Sequence, residues 1–235
     1  LGVVPHGVIT TESGQLANWQ QYQQTVMQLP HVQAAAPFIT TEGMVQSPAS
    51  LAPIALQGLD PQNYPKQDLL RQTLGNAALE RLVAGKFNII LGGALAQKLG
   101  VMPGDKVRVL VSEGSRFTPM GRVPSQRLFH VVALFDVGSP VDDQIALIHL
   151  DDARRLLRYQ PENVTGWRVW LDDAFQTEDI AKTALPTSLV FQDWRQERGE
   201  LFRAVAMEKH IMSLMLVLII LNLWCLISIL IANRR

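Results

Sequence analysis

The sequence FNIILGGALAQKLGVMPGDKVRVLV, residues 87–111, sets out the alternation of elements from which this chain is built. Its apolar start predicts a buried strand over 87–91, and the glycine pair that follows opens a helix over 94–99. Gly100 ends this helix, and a Pro-Gly-Asp turn leads into a second strand over 106–111. The segment therefore predicts a strand, a helix and a strand in direct succession.

The N-terminal region shows the same alternation. A strand is predicted over 1–11, followed by a helix from Asn18, its predicted N-cap, to residue 29. Extended structure returns over 32–41 and 54–59, and strands that alternate with helices favour a layered α/β or α+β fold. The other predicted elements are a helix over 76–83, strands over 127–135, 144–149 and 167–171, and a helix to residue 157 capped by Asp151 or Asp152.

The C-terminal segment predicts a transmembrane helix over 211–233. Its apolar run is long enough to cross a hydrocarbon core of roughly 30 Å, whereas a buried globular helix would be shorter, with polar residues on one face. Arg234 and Arg235 directly after the run favour a cytoplasmic C-terminal end, which makes residues 1–210 periplasmic or extracellular. We also expect the sequence to be a piece of a longer membrane protein, because it begins at Leu1 and ends next to the span.

The charge composition gives no electrostatic case for nucleic-acid binding. Lys and Arg number 21, as do Asp and Glu, so the net charge is zero. Without residues 206–235 the balance is 18 basic against 20 acidic side chains. The one cysteine, Cys225, lies in the predicted span, so no disulfide within the chain is expected.

The segment 112–124, SEGSRFTPMGRVP, is the most informative part of the sequence. We expect its two prolines and two glycines to prevent a strand ladder or a helix, yet it carries the apolar Phe117, Met120 and Val123. The surrounding region has a local charge of +3, which makes it a candidate docking surface for an acidic or carbonyl-rich partner. The alternative is an ordinary hairpin loop whose arginines only solubilise it. The charged residues of this region are Lys106, Arg108, Arg116, Arg122 and Arg127 against Asp105 and Glu113.

Residues 116–129, RFTPMGRVPSQRLF, closely resemble the hook of the LolC/LolE family, the membrane subunits of a bacterial lipoprotein-releasing ABC transporter. The resemblance to LolC extends to KFNIILG at 86–92, TGWRVWLD at 165–172, QDWR at 192–195 and RGELF at 198–202. The opening VVPHG at 3–7 is more similar to LolE. This mixture leaves open a hybrid subunit, often called LolF, that acts as a homodimer.

The resemblance implies an α+β, MacB-like periplasmic domain of two subdomains without catalytic activity or cofactor. The predicted Porter-like subdomain comprises residues 1–58 and 158–200, and the Sabre-like subdomain comprises 59–157 with the hook at 112–124. A juxtamembrane helix over 193–210 and the transmembrane helix over 211–233 follow. ATP hydrolysis is expected on a separate LolD-type subunit, and the protein is expected in the inner membrane.

The resemblance also implies partners and contact residues. The periplasmic lipoprotein carrier LolA is the expected partner, together with lipoprotein substrate and a second permease subunit, LolE-like or identical. The implied pad consists of Arg108, Gln126 and Arg127. The implied hook contacts are Ser112, Arg116, Phe117, Thr118, Pro119, Met120, Gly121, Arg122, Val123 and Pro124. The alternative function is that of a MacB/FtsX-like mechanotransmitting subunit acting on another periplasmic partner.

Other polar and aromatic residues are weaker candidates for a site. The pairs Asp142-Asp143 and Asp151-Asp152 are explained by loop solvation and helix capping, since neighbours on a strand point to opposite faces. The five histidines lack metal-ligand spacing, so no metal site is expected. Gly100–Lys106 lacks the spacing of a phosphate loop, and Ser125 and Ser139 lack a nucleophile motif. Trp167, Trp170 and Trp194 are expected to be packing residues.

Overall fold

The computed structural model describes residues 5–66, 68–118, 121–136, 144–173 and 189–193, and the single positions 177, 180, 186 and 215. The chain divides into two compact units, Leu1–Gln192 and Asp193–Arg235. The predicted helices over 193–210 and 211–233 fall outside the described residues, apart from Asp193 and Met215. In the part of the chain that is described, no helix is long and apolar enough to cross a membrane.

The described elements form a mixed sheet with short helices, which agrees with the expected α+β class. The strands are β1 (Gly7–Thr10), β2 (Val32–Gln46), β3 (Leu51–Leu59), β4 (Asn88–Gly92), β5 (Lys106–Thr118), β6 (Gly121–Phe135), β7 (Ile145–His149), β8 (Gly166–Leu171) and β9 (Val190–Asp193). The helices are a 3-10 turn (Trp19–Tyr22), α1 (Gln23–Met27), α2 (Leu69–Leu74), α3 (Asn76–Leu79), α4 (Gly93–Leu99) and α5 (Leu150–Leu157).

The long strand β2 closes part of the sheet into a ring. Residues 43–46 of β2 pair antiparallel with β3 on one edge and with β5 on the other. The sheet order β3-β7-β4-β6-β5-β2 then returns to β3, so six strands form a closed ring. The first half of β2 pairs with β8, which continues to β1 and β9. All nine strands thus share one hydrogen-bonded network, and the subdomain boundaries at 58/59 and 157/158 remain a prediction.

The ring interior is filled by alternate residues of its strands and by one face of α4 and α5. Val107, Val109 and Val111 of β5 face inward, as do Ile89 and Leu91 of β4, and all five are buried. The period of two along a strand explains this selection. A second, smaller cluster forms on the opposite face, around Leu59, Ile90, Leu147 and Trp170.

Asp152 ties α5 to the segment that leads into β4. It is fully buried, and its carboxylate accepts hydrogen bonds from the Gly85 N–H at 2.8 Å and the Phe87 N–H at 3.0 Å. The expectation that Asp151 or Asp152 caps α5 is therefore wrong. The cap is His149, whose Nδ1 accepts from the Asp151 N–H, because the Asp152 side chain is directed into the core.

Two predictions for the helices are also corrected. The helix expected from Asn18 to residue 29 is a 3-10 turn and the short α1, and Asn18 has a φ of 50° with no side-chain cap bond. The polar stretch that precedes residue 76 was not predicted to be helical, yet it contains α2, capped by Asp68. The Asp68 carboxylate is buried, accepts from the Leu70 N–H at 2.8 Å, and also accepts from the Trp170 Nε1–H at 3.0 Å.

Replacement of Asp152 by Ala is expected to lower the free energy of unfolding by about 3 kcal/mol, because two buried N–H groups lose a charged acceptor. Urea unfolding followed by tryptophan fluorescence measures this. The matched control is Asp151→Ala, which removes the half-exposed partner of Arg154 and leaves no buried N–H without its acceptor, so it should cost less. Equal losses in the two variants would contradict the assigned role of Asp152.

Asp68 is expected to make stability depend on pH. Burial raises the pKa of this carboxyl above its ordinary 3.8, so the folded state binds the proton more tightly than the unfolded state. Protonated Asp68 therefore stabilises the folded state. This stabilisation is fully present below about pH 4 and is lost as the pH rises through the folded-state pKa. Relative to Asp68→Asn, the wild-type free energy of unfolding should therefore fall between about pH 4 and pH 7. A difference that stays constant over urea titrations in this range would contradict this.

Candidate functional site

The predicted hook is part of a long hairpin formed by β5 and β6. The two strands pair from Lys106↔His130 to Val111↔Ser125, and again from Arg116↔Val123 to Thr118↔Gly121. The expectation that prolines and glycines prevent a ladder in this segment is therefore wrong. Pro119 and Met120, which join the strands, lie outside the described residues, as do the side chains of Arg116, Phe117, Thr118 and Arg122.

A bulge separates the two paired stretches. Residues 112–115 of β5 stand opposite Pro124 of β6, and the register shifts between Val111 and Arg116. Pro124 has no N–H to donate, so its position beside the bulge leaves no ladder hydrogen bond unmade. Bulges bend the strand that carries them, which makes this point the base of the hook.

The base of the hook lies against the C-terminal end of α5. Gly114 has a φ of +69°, and a Cβ at this position would lie 2.4 Å from the Leu157 carbonyl oxygen. From the other strand, the Ser125 hydroxyl donates to the Leu156 carbonyl oxygen at 2.6 Å. The fold therefore requires glycine at position 114, because the residue has a positive φ and its backbone lies close to that of Leu157.

Glu113, which was not predicted as a site residue, also holds the bulge. Its carboxylate accepts a hydrogen bond from the Tyr159 hydroxyl and another, at 3.0 Å, from the Thr41 hydroxyl. Burial and the adjacent Glu113 raise the pKa of the Tyr159 phenol above its usual range. No sequence periodicity brings these three residues together, because they are distant along the chain.

The predicted pad residues do not share one face of the sheet. Arg108 pairs with Leu128 and Leu110 pairs with Gln126, so Arg108 and Gln126 are diagonal neighbours, both exposed, on the outer face. Arg127 stands opposite the buried Val109 and belongs to the other face. Its guanidinium lies 4.4 Å from the centroid of the Phe87 ring, a cation–π contact.

The outer face next to the hook carries exposed apolar side chains beside the pad. A cross-strand row runs from Leu51 through Gln46 and Arg108 to Leu128. Leu51 is 52% exposed and Leu128 is 45% exposed. We call Gln46, Leu51, Arg108, Gln126 and Leu128 the docking face. It combines exposed apolar area with hydrogen-bond donors, both of which a protein partner could contact.

Comparison with known protein families identifies the family to which this architecture belongs. Residues 3–185 match the profile of the MacB-like periplasmic core domain. The chain belongs to this family. Membership agrees with the expected fold of the periplasmic domain.

Sequence relatives narrow the relationship to LolC and LolE. The lipoprotein-releasing system transmembrane protein LolC of Haemophilus influenzae is 36% identical over 222 residues, 94% of this chain and 54% of the relative. LolC of Neisseria meningitidis is 31% identical over 94% of this chain and 54% of the relative, and LolE of Haemophilus influenzae is 26% identical with the same coverage. The chain thus spans about half the length of the curated relatives it matches, and its resemblance to the LolC/LolE family is confirmed.

Solved structures give a more distant likeness. The periplasmic region of MacB from Actinobacillus actinomycetemcomitans superposes with a TM-score of 0.49 at 10% identity, covering 85% of this chain and 94% of that one. The extracellular domain of the ABC-type transporter YknZ gives a TM-score of 0.46 at 10% identity, covering 75% and 88%.

Of the other candidate residues, those that the structure describes have structural contacts. Trp167 and Trp170 are buried, whereas Trp194, Asp142, Asp143 and Ser139 lie outside the described residues. His6 accepts from the Leu171 N–H, and His31 contacts Asp172. Within the described ranges, no group of three or more His, Cys, Asp or Glu side chains is arranged to hold a metal ion.

Gly114→Ala is expected to disrupt the base of the hook, because the added methyl group meets the Leu157 backbone. Gly100→Ala is the matched control, since Gly100 has a similar φ of +64° and nothing within 4 Å of the added Cβ. Both variants place an alanine in the left-handed region of φ, which lowers the free energy of unfolding. The loss should be about 1–3 kcal/mol larger for Gly114→Ala. Urea unfolding of both variants tests this, and equal losses would show that the close contact with Leu157 is unimportant.

Proposed function

We propose that this chain is the periplasmic part of a non-catalytic permease subunit of a lipoprotein-releasing ABC transporter. Its hook and docking face recruit a LolA-type periplasmic carrier, to which lipoproteins extracted from the inner membrane are transferred. The observation that carries the proposal is the β5–β6 hairpin, which continues past the ring on a base anchored to α5 and stands beside the exposed docking face. The similarity to LolC chains supports the same substrate class.

The chemistry of the docking face suits a partner that presents carbonyl or carboxylate groups. Arg108 offers a planar guanidinium, which binds such groups through forked hydrogen bonds, and Gln126 beside it donates and accepts. Leu51 and Leu128 supply apolar area that loses water when a partner binds. Because the hook arms are already paired as strands, little conformational entropy is lost when they engage a carrier.

Arg127 has a different part in this proposal, because it lies on the opposite face. Its contact with Phe87 orients the guanidinium close to the hairpin without placing it in the row that contains Arg108. A carrier that embraces the hook would meet Arg108 and Gln126 on one side of β6 and Arg127 on the other. The implied pad residues therefore contact the carrier on both faces of the hairpin.

The whole transporter supplies the remaining parts of the proposed function. We place the chain in the inner membrane, with residues 1–210 in the periplasm and the predicted helices over 193–210 and 211–233 as its link to the membrane. The second permease subunit is LolE-like or identical, and a LolD-type subunit hydrolyses ATP. Since the match at residues 3–185 is to the wider MacB-like family, a mechanotransmitting subunit acting on another periplasmic partner is the second candidate.

Arg108→Ala and Arg127→Ala are each expected to weaken carrier binding by about 1–3 kcal/mol, the range for a lost charge-assisted hydrogen bond. Calorimetric titration of the purified chain with LolA measures this. Lys66→Ala is the control, since Lys66 is exposed but belongs to neither the hook nor the docking face. The loss should shrink at high salt for the arginine variants.

Two outcomes would contradict the proposed function. Absence of binding by the folded wild-type chain would favour the second candidate and a different partner. Binding that is weakened equally by Lys66→Ala and Arg108→Ala would show that the contact is a general charge effect and does not involve the docking face.

A further inference from the structure

Glu113 joins three separate elements at the base of the hook. It lies in the β5 bulge, and its two carboxylate oxygens accept from Tyr159, just beyond α5, and from Thr41 on β2. Glu113 and Thr41 are partly buried, so water competes only weakly for these hydrogen bonds. We call Glu113, Tyr159 and Thr41 the base clamp.

The base clamp is built from charge-assisted hydrogen bonds. A hydroxyl that donates to a carboxylate makes a bond roughly twice as strong as a neutral pair. Burial and the adjacent Glu113 raise the pKa of the Tyr159 phenol, so the phenol keeps its proton across the neutral pH range. The hydrogen-bond donor of this contact is therefore present throughout that range.

The hook arms need such an anchor. Beyond the bulge, three register pairs join the described residues of the two arms, from Arg116↔Val123 to Thr118↔Gly121. A two-stranded hairpin of this size is marginally stable in water on its own. The packing of Gly114 on Leu157 and the bond from Ser125 to Leu156 fix the base against α5. The Thr41 hydrogen bond of the base clamp ties the bulge to β2 as well.

We propose that Glu113, Tyr159 and Thr41 are positioning residues for the hook. They hold its arms in the direction in which they meet the carrier, and none of the three belongs to the contact residues of the hook or the pad. Loss of the clamp would then weaken carrier capture through disorder of the arms, with every contact side chain still present. This inference rests on the proposed function for its last step, while the order of the arms is a property of the chain alone.

The first test is hydrogen exchange of the full chain in a mild detergent, comparing wild type with Tyr159→Phe. Removal of one hydroxyl is expected to speed amide exchange in the arms, residues 114–118 and 121–123, by about ten-fold. Carrier affinity should fall by the factor by which the ordered fraction of the arms falls, because only the ordered conformation is competent to bind. Thr41→Val removes the other hydroxyl with little change of shape and should act in the same direction.

Tyr64→Phe is the matched control. Tyr64 is a buried tyrosine whose hydroxyl, like that of the partly buried Tyr159, is bonded to a carboxylate, here that of Asp68 in the second core cluster. It should lower the melting temperature comparably but leave exchange in the hook arms and carrier affinity unchanged. This contrast separates positioning of the hook from a general loss of stability.

Unchanged exchange in the arms of both Tyr159→Phe and Thr41→Val would overturn the inference. So would faster exchange accompanied by wild-type carrier affinity, since order of the arms would then be irrelevant to capture. If the wild-type chain fails to bind the carrier at all, the proposed function fails, whereas the exchange result still decides whether the clamp orders the arms.

Discussion

The pairing of β2 with three neighbours is the constraint on which the remaining architecture depends. Its residues 43–46 hydrogen bond to β3 and β5 together, which closes the six-stranded ring, and its first half pairs with β8. A closed ring leaves no free edge between its strands, and its interior is filled mainly by apolar side chains. Both strands of the hook hairpin leave this ring with neighbours on either side, β2 beside β5 and β4 beside β6.

The hook illustrates how residues that usually break strands can define one. Pro124 and Gly114 both fall at the bulge, where the ladder is already interrupted, and Gly121 takes its positive φ of +116° beside the turn. The ladder can therefore resume between them. Together with the carboxylate of Glu113, these residues convert a break in hydrogen bonding into a bend of fixed direction.

The sequence allows the elements with local signals to be predicted, but not the contacts between distant ones. The apolar run of β4, the glycine that ends α4 and the alternation in β8 were sufficient for correct assignments. Helix α2 was missed because it begins within a polar stretch of the sequence, and its cap depends on burial of Asp68 against Trp170. That Gln126 and Arg127 lie on opposite faces of the sheet follows from the alternation of side chains along a strand. The contact between Glu113 and Tyr159, in contrast, depends on how distant elements pack in the ring.

The continuity of β2 has a mechanical consequence. Its first half overlaps β8 in antiparallel orientation through six register pairs, from Val32↔Leu171 to Phe38↔Gly166. A pull along β8 loads these pairs in shear, so their hydrogen bonds resist together, whereas a pull across the strands would peel them apart one at a time. Since the same strand continues to Gln46 beside Arg108, tension that enters through β8 reaches the ring along a covalent backbone with little slack.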